Sequence, residues 1–169
     1  MNLLQEAKKS NKQAYCGLLE NYNHIFYKVA KLYFLTDREV YSVIKQALTE
    51  SYKELANAKD EPAFLRLALK ILISVCENEK KKNPEKDAES SIDQRIYKDY
   101  LMNSIVESYL TNAKIAGNSK LIAILYYYAN LSYQDISKIL GVPSNTIANQ
   151  VNEIRTALLN VINQNKEGY

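Results

Sequence analysis

The residues that interrupt helices and hold metals are scarce in this chain. Its 169 residues include 4 glycines, 3 prolines, 2 cysteines, one histidine and no tryptophan. With so few glycines and prolines, long helices meet few breaks. The lone His24 and the distant Cys16 and Cys76 match no zinc spacing. Nucleophilic chemistry of the Ser-His-Asp kind would have to use His24, and no serine carries a supporting motif. The glycines are dispersed, so no loop of the phosphate-cradling type is present. No catalytic residue, metal or cofactor is therefore expected, and the chain does not read as an enzyme.

Long apolar runs are also missing. The most apolar stretch, Ala63 to Cys76, contains Arg66 and Lys70, which excludes a run of about 18 uncharged residues and hence a membrane span. The opening MNLLQEAKKS has no basic cluster before an apolar region, so no signal peptide is expected. Both cysteines sit among apolar neighbours at helical spacing. Two reduced, buried thiols in the cytoplasm are the expectation.

The net charge of +3 is unevenly spread. Residues 1–83 carry 14 basic and 10 acidic side chains, a net +4; residues 84–105 carry 3 and 5, a net −2; residues 106–169 carry 5 and 4, a net +1. So mild a basic balance does not imply a strong non-specific hold on nucleic acid.

Apolar residues recur at the three-and-four step of an α-helix almost throughout. A first long helix is predicted over Gln13 to Phe34, with Leu18, Tyr22, Ile25, Phe26, Val29 and Tyr33 on its inner face. A second starts at a capping box, Thr36 with Glu39 three residues on. Its inner face carries Val40, Val43, Ile44, Ala47 and Leu48. A third has Asp60 as cap and Pro62 in its first turn, where a missing N–H costs little. The pattern stops at KKKNPEKDAESS, residues 80–91, which reads as a flexible linker. It resumes after Ser91 and breaks over Asn112 to Ser119, around Gly117. A short apolar helix follows over Leu121 to Asn130. No strand and no internal repeat is predicted. The fold class is all-α, two small helical domains joined by a linker. The domains are placed at 1–83 and 106–169, with 84–105 holding the linker and the start of the next helix.

The segment LSYQDISKILGVPSNTIANQVNEIRTALLNVI is the most informative. Ser132 caps a short helix, with Asp135 three residues on. Ile136, Ile139 and Leu140 face inward. Gly141 stands where a helix must turn through positive φ, and Val142 plugs the turn. A longer helix then starts at Pro143 and Ser144, with Ser144 as cap. It continues through Ile147, Val151, Ile154, Leu158 and Val161. This is the order of a helix-turn-helix, whose second helix can enter the DNA major groove. Its leading side chains would be Ser144, Asn145, Thr146, Asn149 and Gln150. Asn and Gln can each bond adenine at two points, and the Thr methyl can touch that of thymine. Arg155 is the one cation between Ser144 and Asn160. With few phosphate contacts available, this helix alone should bind DNA weakly. The run Tyr126, Tyr127, Tyr128 reads as compositional bias, since three consecutive residues cannot share one core face.

This segment resembles the C-terminal domain (domain 4) of bacterial RNA polymerase sigma factors, most closely the extracytoplasmic-function (ECF) group. The N-terminal half is similar to domain 2 of the same family, in YCGLLENYNHIFYKVAKLYF, DREVYSVIKQALTESYKEL and AFLRLALKILISVCENEKKK. The order and spacing of these pieces match over nearly the whole chain. The resemblance implies a transcription initiation factor that binds core RNA polymerase and directs it to promoter DNA. Tyr41, Ser42, Lys45, Gln46 and Thr49 would then face the polymerase. Asn57, Lys59, Asn78, Lys80, Lys81 and Lys82 would face the minus-ten element. Ser144, Asn145, Thr146, Asn149, Gln150 and Arg155 would face the minus-thirty-five element. An anti-sigma factor is a further implied partner. Several polar positions depart from the family: Ser42 replaces a usual Asp, Lys45 a usual Gln, and Ala148, Gln150 and Glu153 usual basic residues. Two alternatives stand beside this one, a diverged sigma-like interaction module and a stand-alone helix-turn-helix transcription regulator.

Overall fold

The computed structural model describes residues 2–82, 105–112 and 114–166; for 105, 161, 162 and 164–166 it gives the backbone alone. Nine α-helices, a 3-10 turn and a π turn make up its regular structure, and the described residues contain no strand. The chain divides into two compact units, Met1–Asp87 and Ala88–Tyr169. The expected linker and helix start over 84–105 lie outside the described residues, apart from the backbone of Ile105. No helix among the described residues is long and apolar enough to cross a membrane.

The first unit holds α1 (Leu3–Lys8), α2 (Lys12–Glu20), α3 (Asn23–Lys31), α4 (Asp37–Lys53), a 3-10 turn (Leu55–Asn57) and α5 (Glu61–Lys82). Packing of α4 on α5, with α3 against both, forms its centre. Phe26, Val29, Val40, Phe64, Leu69 and Leu72 are almost wholly shielded from water. Two local signals read from the sequence are present. Thr36 and Glu39 form the capping box of α4, and Asp60 Oδ1 accepts from the Ala63 N–H at 2.7 Å at the head of α5.

The predicted first helix is in fact two. It is interrupted at Asn21 and Tyr22, where Tyr22 leaves helical geometry at φ −117° and ψ 2°. Its hydroxyl donates to Glu61 Oε1 at 2.7 Å, a tertiary tie that periodicity does not reveal. Cys16 is also corrected: it is exposed, whereas Cys76 is buried. At 100° per residue, Cys16 points away from the stripe of Ala14, Tyr15 and Leu18 that α2 buries. Burial pushes the Cys76 thiol pKa up to about 12, which leaves it an inert core group.

Polar groups inside this unit are paired. Tyr15 Oη donates to the Leu48 carbonyl at 2.7 Å and lies 2.9 Å from Ser51 Oγ. The Tyr15 ring meets Tyr52 and Phe64 edge-on. Nearer the surface, Asp37 accepts from Lys31 Nζ at 3.0 Å and from Tyr27 Oη at 2.8 Å. These donors, Lys31 first, hold its carboxyl below the ordinary 3.8. A lowered carboxyl pKa contributes stability above the unfolded pKa and loses it as pH falls through the folded one. Because Asp37 is partly exposed, Asp37→Asn should cost no more than about 1 kcal/mol at pH 7. Urea titrations of the two proteins should then converge as the pH drops below about 4.

The second unit holds α6 (Ile105–Thr111), α7 (Gly117–Ala123), a π turn (Ile124–Tyr128), α8 (Tyr133–Leu140) and α9 (Ser144–Lys166). Its hub is α9, against which α6, α7 and α8 pack. The predicted break over Asn112 to Ser119 is present but ends sooner: α6 stops at Thr111, and Gly117 opens α7 after Ala116 in extended geometry. The predicted helix over Leu121 to Asn130 widens into the π turn, which buries Ile124 and Leu125 while leaving Tyr127 exposed. The Tyr128 hydroxyl donates to the carboxylate of the buried Glu107.

Candidate nucleic-acid interface

The pairing of α8 and α9 begins with their caps. Ser132 Oγ accepts from the Asp135 N–H at 3.1 Å, and its hydroxyl donates to Asp135 Oδ2 at 2.9 Å. The far end of α8 closes at Gly141, with φ +69° and its N–H on the Ser137 carbonyl at 2.8 Å. A left-handed residue ends a helix without the Cβ clash that other side chains suffer. The chain then turns through Val142 and Pro143. The Pro143 carbonyl accepts from the Ile147 N–H at 3.1 Å. Pro143 therefore occupies the cap position and Ser144 is the first helical residue, not the cap expected for it. Ile136, Ile147, Val151 and Ile154 are buried and fix α8 against α9.

With that stripe buried, Asn145, Asn149, Asn152 and Thr156 form the opposite, exposed face of α9. Ser144 is exposed at the head of the helix, and Thr146 is half-buried at its edge. Asn145 Oδ1 accepts from the Thr146 N–H at 2.9 Å. Gln150 is placed differently: its Oε1 is shielded from solvent and lacks a hydrogen-bond partner among the described residues. Reading a base with both ends of the Gln150 amide would need its side chain to rotate. Asn149 is the adenine-reading candidate that faces outward.

Arg155 lies about 15 Å further along α9 than Asn145 at the helical rise. It is exposed but not isolated. A hydrogen bond with Tyr127, then the fields of Tyr133 and Tyr126, raise its pKa above the ordinary value. The Tyr126 ring stacks on Tyr133 at 5.5 Å and meets Tyr127 edge-on at 4.9 Å. The π turn and Tyr133 thus build a tyrosine cluster around Arg155, the one cation of this helix up to Asn160. The three-tyrosine run was the available signal, and composition masked it.

In the first unit, Tyr41, Ser42, Lys45, Gln46 and Thr49 are all exposed on one side of α4, opposite the buried Val43, Ile44 and Ala47. Tyr41 is 62% exposed and lies 6.0 Å, ring to ring, from Tyr27. The Gln46 amide donates to Glu50, and the Thr49 hydroxyl to the Lys45 carbonyl. The six residues assigned to the minus-ten element are not brought together. Asn57 and Lys59 precede α5, and Asn78, Lys80, Lys81 and Lys82 lie at its far end. A helix of 22 residues spans about 33 Å, so the two groups stand about 30 Å apart. Asn57 also donates to Glu54 Oε2, and Lys82 pairs with Glu79 at 2.6 Å.

No model of a known protein family matches the chain, and no curated protein matches it.

Proposed function

We propose that this chain is a sigma-type transcription initiation factor of the cytoplasm, which binds core RNA polymerase and directs it to promoters without catalysing a reaction. In this reading α8, the Gly141 turn and α9 act as the helix-turn-helix of a domain 4-like unit, and the first unit acts as domain 2. The observation that carries the reading is the head of α9. A left-handed glycine and four buried aliphatic residues hold it, and it turns Asn145 and Asn149 outward within its first two turns. Fixed polar side chains at the leading end of a helix are what major-groove readout requires. The exposed side of α4, with Tyr41, Ser42, Lys45, Gln46 and Thr49, suits a flat protein partner such as the polymerase.

The charge of α9 favours a dependence on that partner. Arg155 is its one cation up to Asn160, so phosphate contacts from this helix are few. Tethering by polymerase supplies the missing affinity as effective concentration. A gel shift at near-physiological salt should accordingly show little complex with promoter DNA for the chain alone, and a defined complex once core polymerase is added. Tight specific binding by the chain alone would favour the stand-alone regulator. Polymerase binding without a DNA complex would favour the diverged interaction module, the reading to which Ser42 and Lys45 point.

A further inference from the structure

The outward face of α9 extends beyond the two asparagines at its head. Asn145, Ala148, Asn149 and Asn152 stand at i, i+3, i+4 and i+7, which brings four side chains to one side of a helix. Helices that enter the major groove read bases with this spacing. Ile147, Val151 and Ile154 are buried on the opposite side. Asn145, Asn149 and Asn152 are exposed, and Ala148 is half-buried at the edge. Asn145 Oδ1 is tied to the Thr146 N–H at 2.9 Å. The side-chain amides of Asn149 and Asn152 make no hydrogen bond among the described residues, so both ends of each are available to a ligand.

An amide presents a donor and an acceptor side by side. Adenine offers the complement in the major groove, with N7 accepting and the N6 amino group donating. Guanine offers two acceptors, N7 and O6, and would set the amide oxygen against another oxygen. Arg and Lys are the side chains that read guanine, and Ser144 to Ile154 contain neither. Glu153 is the one acid in that stretch and could accept from cytosine. It lies about 100° round the helix from Asn152, however. There its charge adds to burial in raising the pKa of Tyr109 on α6. Arg155 comes one turn beyond Asn152, where a reading helix passes from bases to backbone.

We propose that α9 reads an A·T element, with Asn149 and Asn152 each bonded to one adenine. The inference rests on the helix-turn-helix part of the proposed function and adds Asn152 to it as a residue that determines specificity. Asn149 and Asn152 are about 4.5 Å apart along the helix axis. Base pairs follow one another at about 3.4 Å. The two adenines therefore lie on neighbouring or next-neighbouring pairs. The Ala148 methyl, on the same side of the helix, suits the methyl of a thymine in these pairs.

The test is selection from a duplex DNA library that carries a random stretch of one helical turn. The full chain is used alone at low salt, where even a few phosphate contacts hold a complex, and in parallel with core polymerase at near-physiological salt. Complexes are separated on a gel and their DNA is sequenced. Adenine should be enriched at two positions one or two base pairs apart, each at least about fivefold over guanine. Asn149→Ala should flatten one of these positions and Asn152→Ala the other. Asn152→Arg should turn the second position to guanine. All three changes are on the exposed face and favour the helix, so folding is retained. Retained DNA with no adenine preference, or with guanine enriched, would overturn this inference and leave the helix-turn-helix assignment standing. Enrichment that Asn152→Ala leaves unchanged would overturn the role of Asn152. Failure to retain DNA in either sample would overturn the helix-turn-helix assignment and this inference with it.

Discussion

Phe64→Ala should lower the stability of the first unit by about 3–5 kcal/mol. Phe64 is wholly buried on α5, where Tyr15 meets it edge-on at 6.0 Å. The same tyrosine anchors α2 to α4 through the Leu48 carbonyl and Ser51 Oγ. Truncation removes the apolar area of one ring and leaves a void that the Tyr15 hydrogen bonds keep from collapsing. A unit of this size has about 4–13 kcal/mol of stability in all, so the loss is a large share of it. Phe64→Leu retains most of the volume and should cost less than about 1.5 kcal/mol. Urea unfolding followed by circular dichroism distinguishes the two. A loss below about 1 kcal/mol for the alanine variant would mean that this contact is not central to the core.

Gly141→Val should unfold the second unit at a clearly lower temperature, and for a reason confined to the backbone. At φ +69° a Cβ would meet no atom within 4 Å, so no packing clash contributes. What remains is the intrinsic cost of the left-handed region, about 1–2 kcal/mol for an ordinary residue and more for a β-branched one. Asn tolerates that region, so Gly141→Asn should retain most of the stability. For a unit of this length each kcal/mol corresponds to about 4–8 °C in Tm. The expected order is therefore wild type, Asn, Ala, Val. A valine variant as stable as wild type would show that the turn between α8 and α9 is not held in this geometry. The proposed recognition helix would then lose its fixed orientation.

Features written into a few neighbouring residues were legible in the sequence. Thr36 with Glu39, Asp60, Ser132 and Gly141 each act within one turn of chain, and the structure has each in the expected role. Features that depend on distant partners were not. The tie from Tyr22 to Glu61 across the break is of this kind; the break itself had a local signal in Asn21 and Asn23, which the helical periodicity outweighed. Cys16 has apolar neighbours in sequence but lies on the outer side of a helix that proved shorter and differently bounded than periodicity implied. The break around Gly117 was legible but its end was not: the next helix already starts at Gly117, because in the first turn of a helix a glycine interrupts little. The candidate site divides in the same way. The outward Asn145 and Asn149 follow from helical spacing, whereas the inward Gln150 Oε1 and the tyrosines around Arg155 arise from packing and from a π turn that no periodicity encodes.

Sedimentation of the purified chain with bacterial core RNA polymerase tests the central claim most directly. The sigma reading predicts stoichiometric co-sedimentation, weakened by charge reversal at Lys45 together with Tyr41→Ala, two exposed changes on α4 that leave its buried side intact. Independent sedimentation of the chain and the polymerase at micromolar concentrations would contradict it.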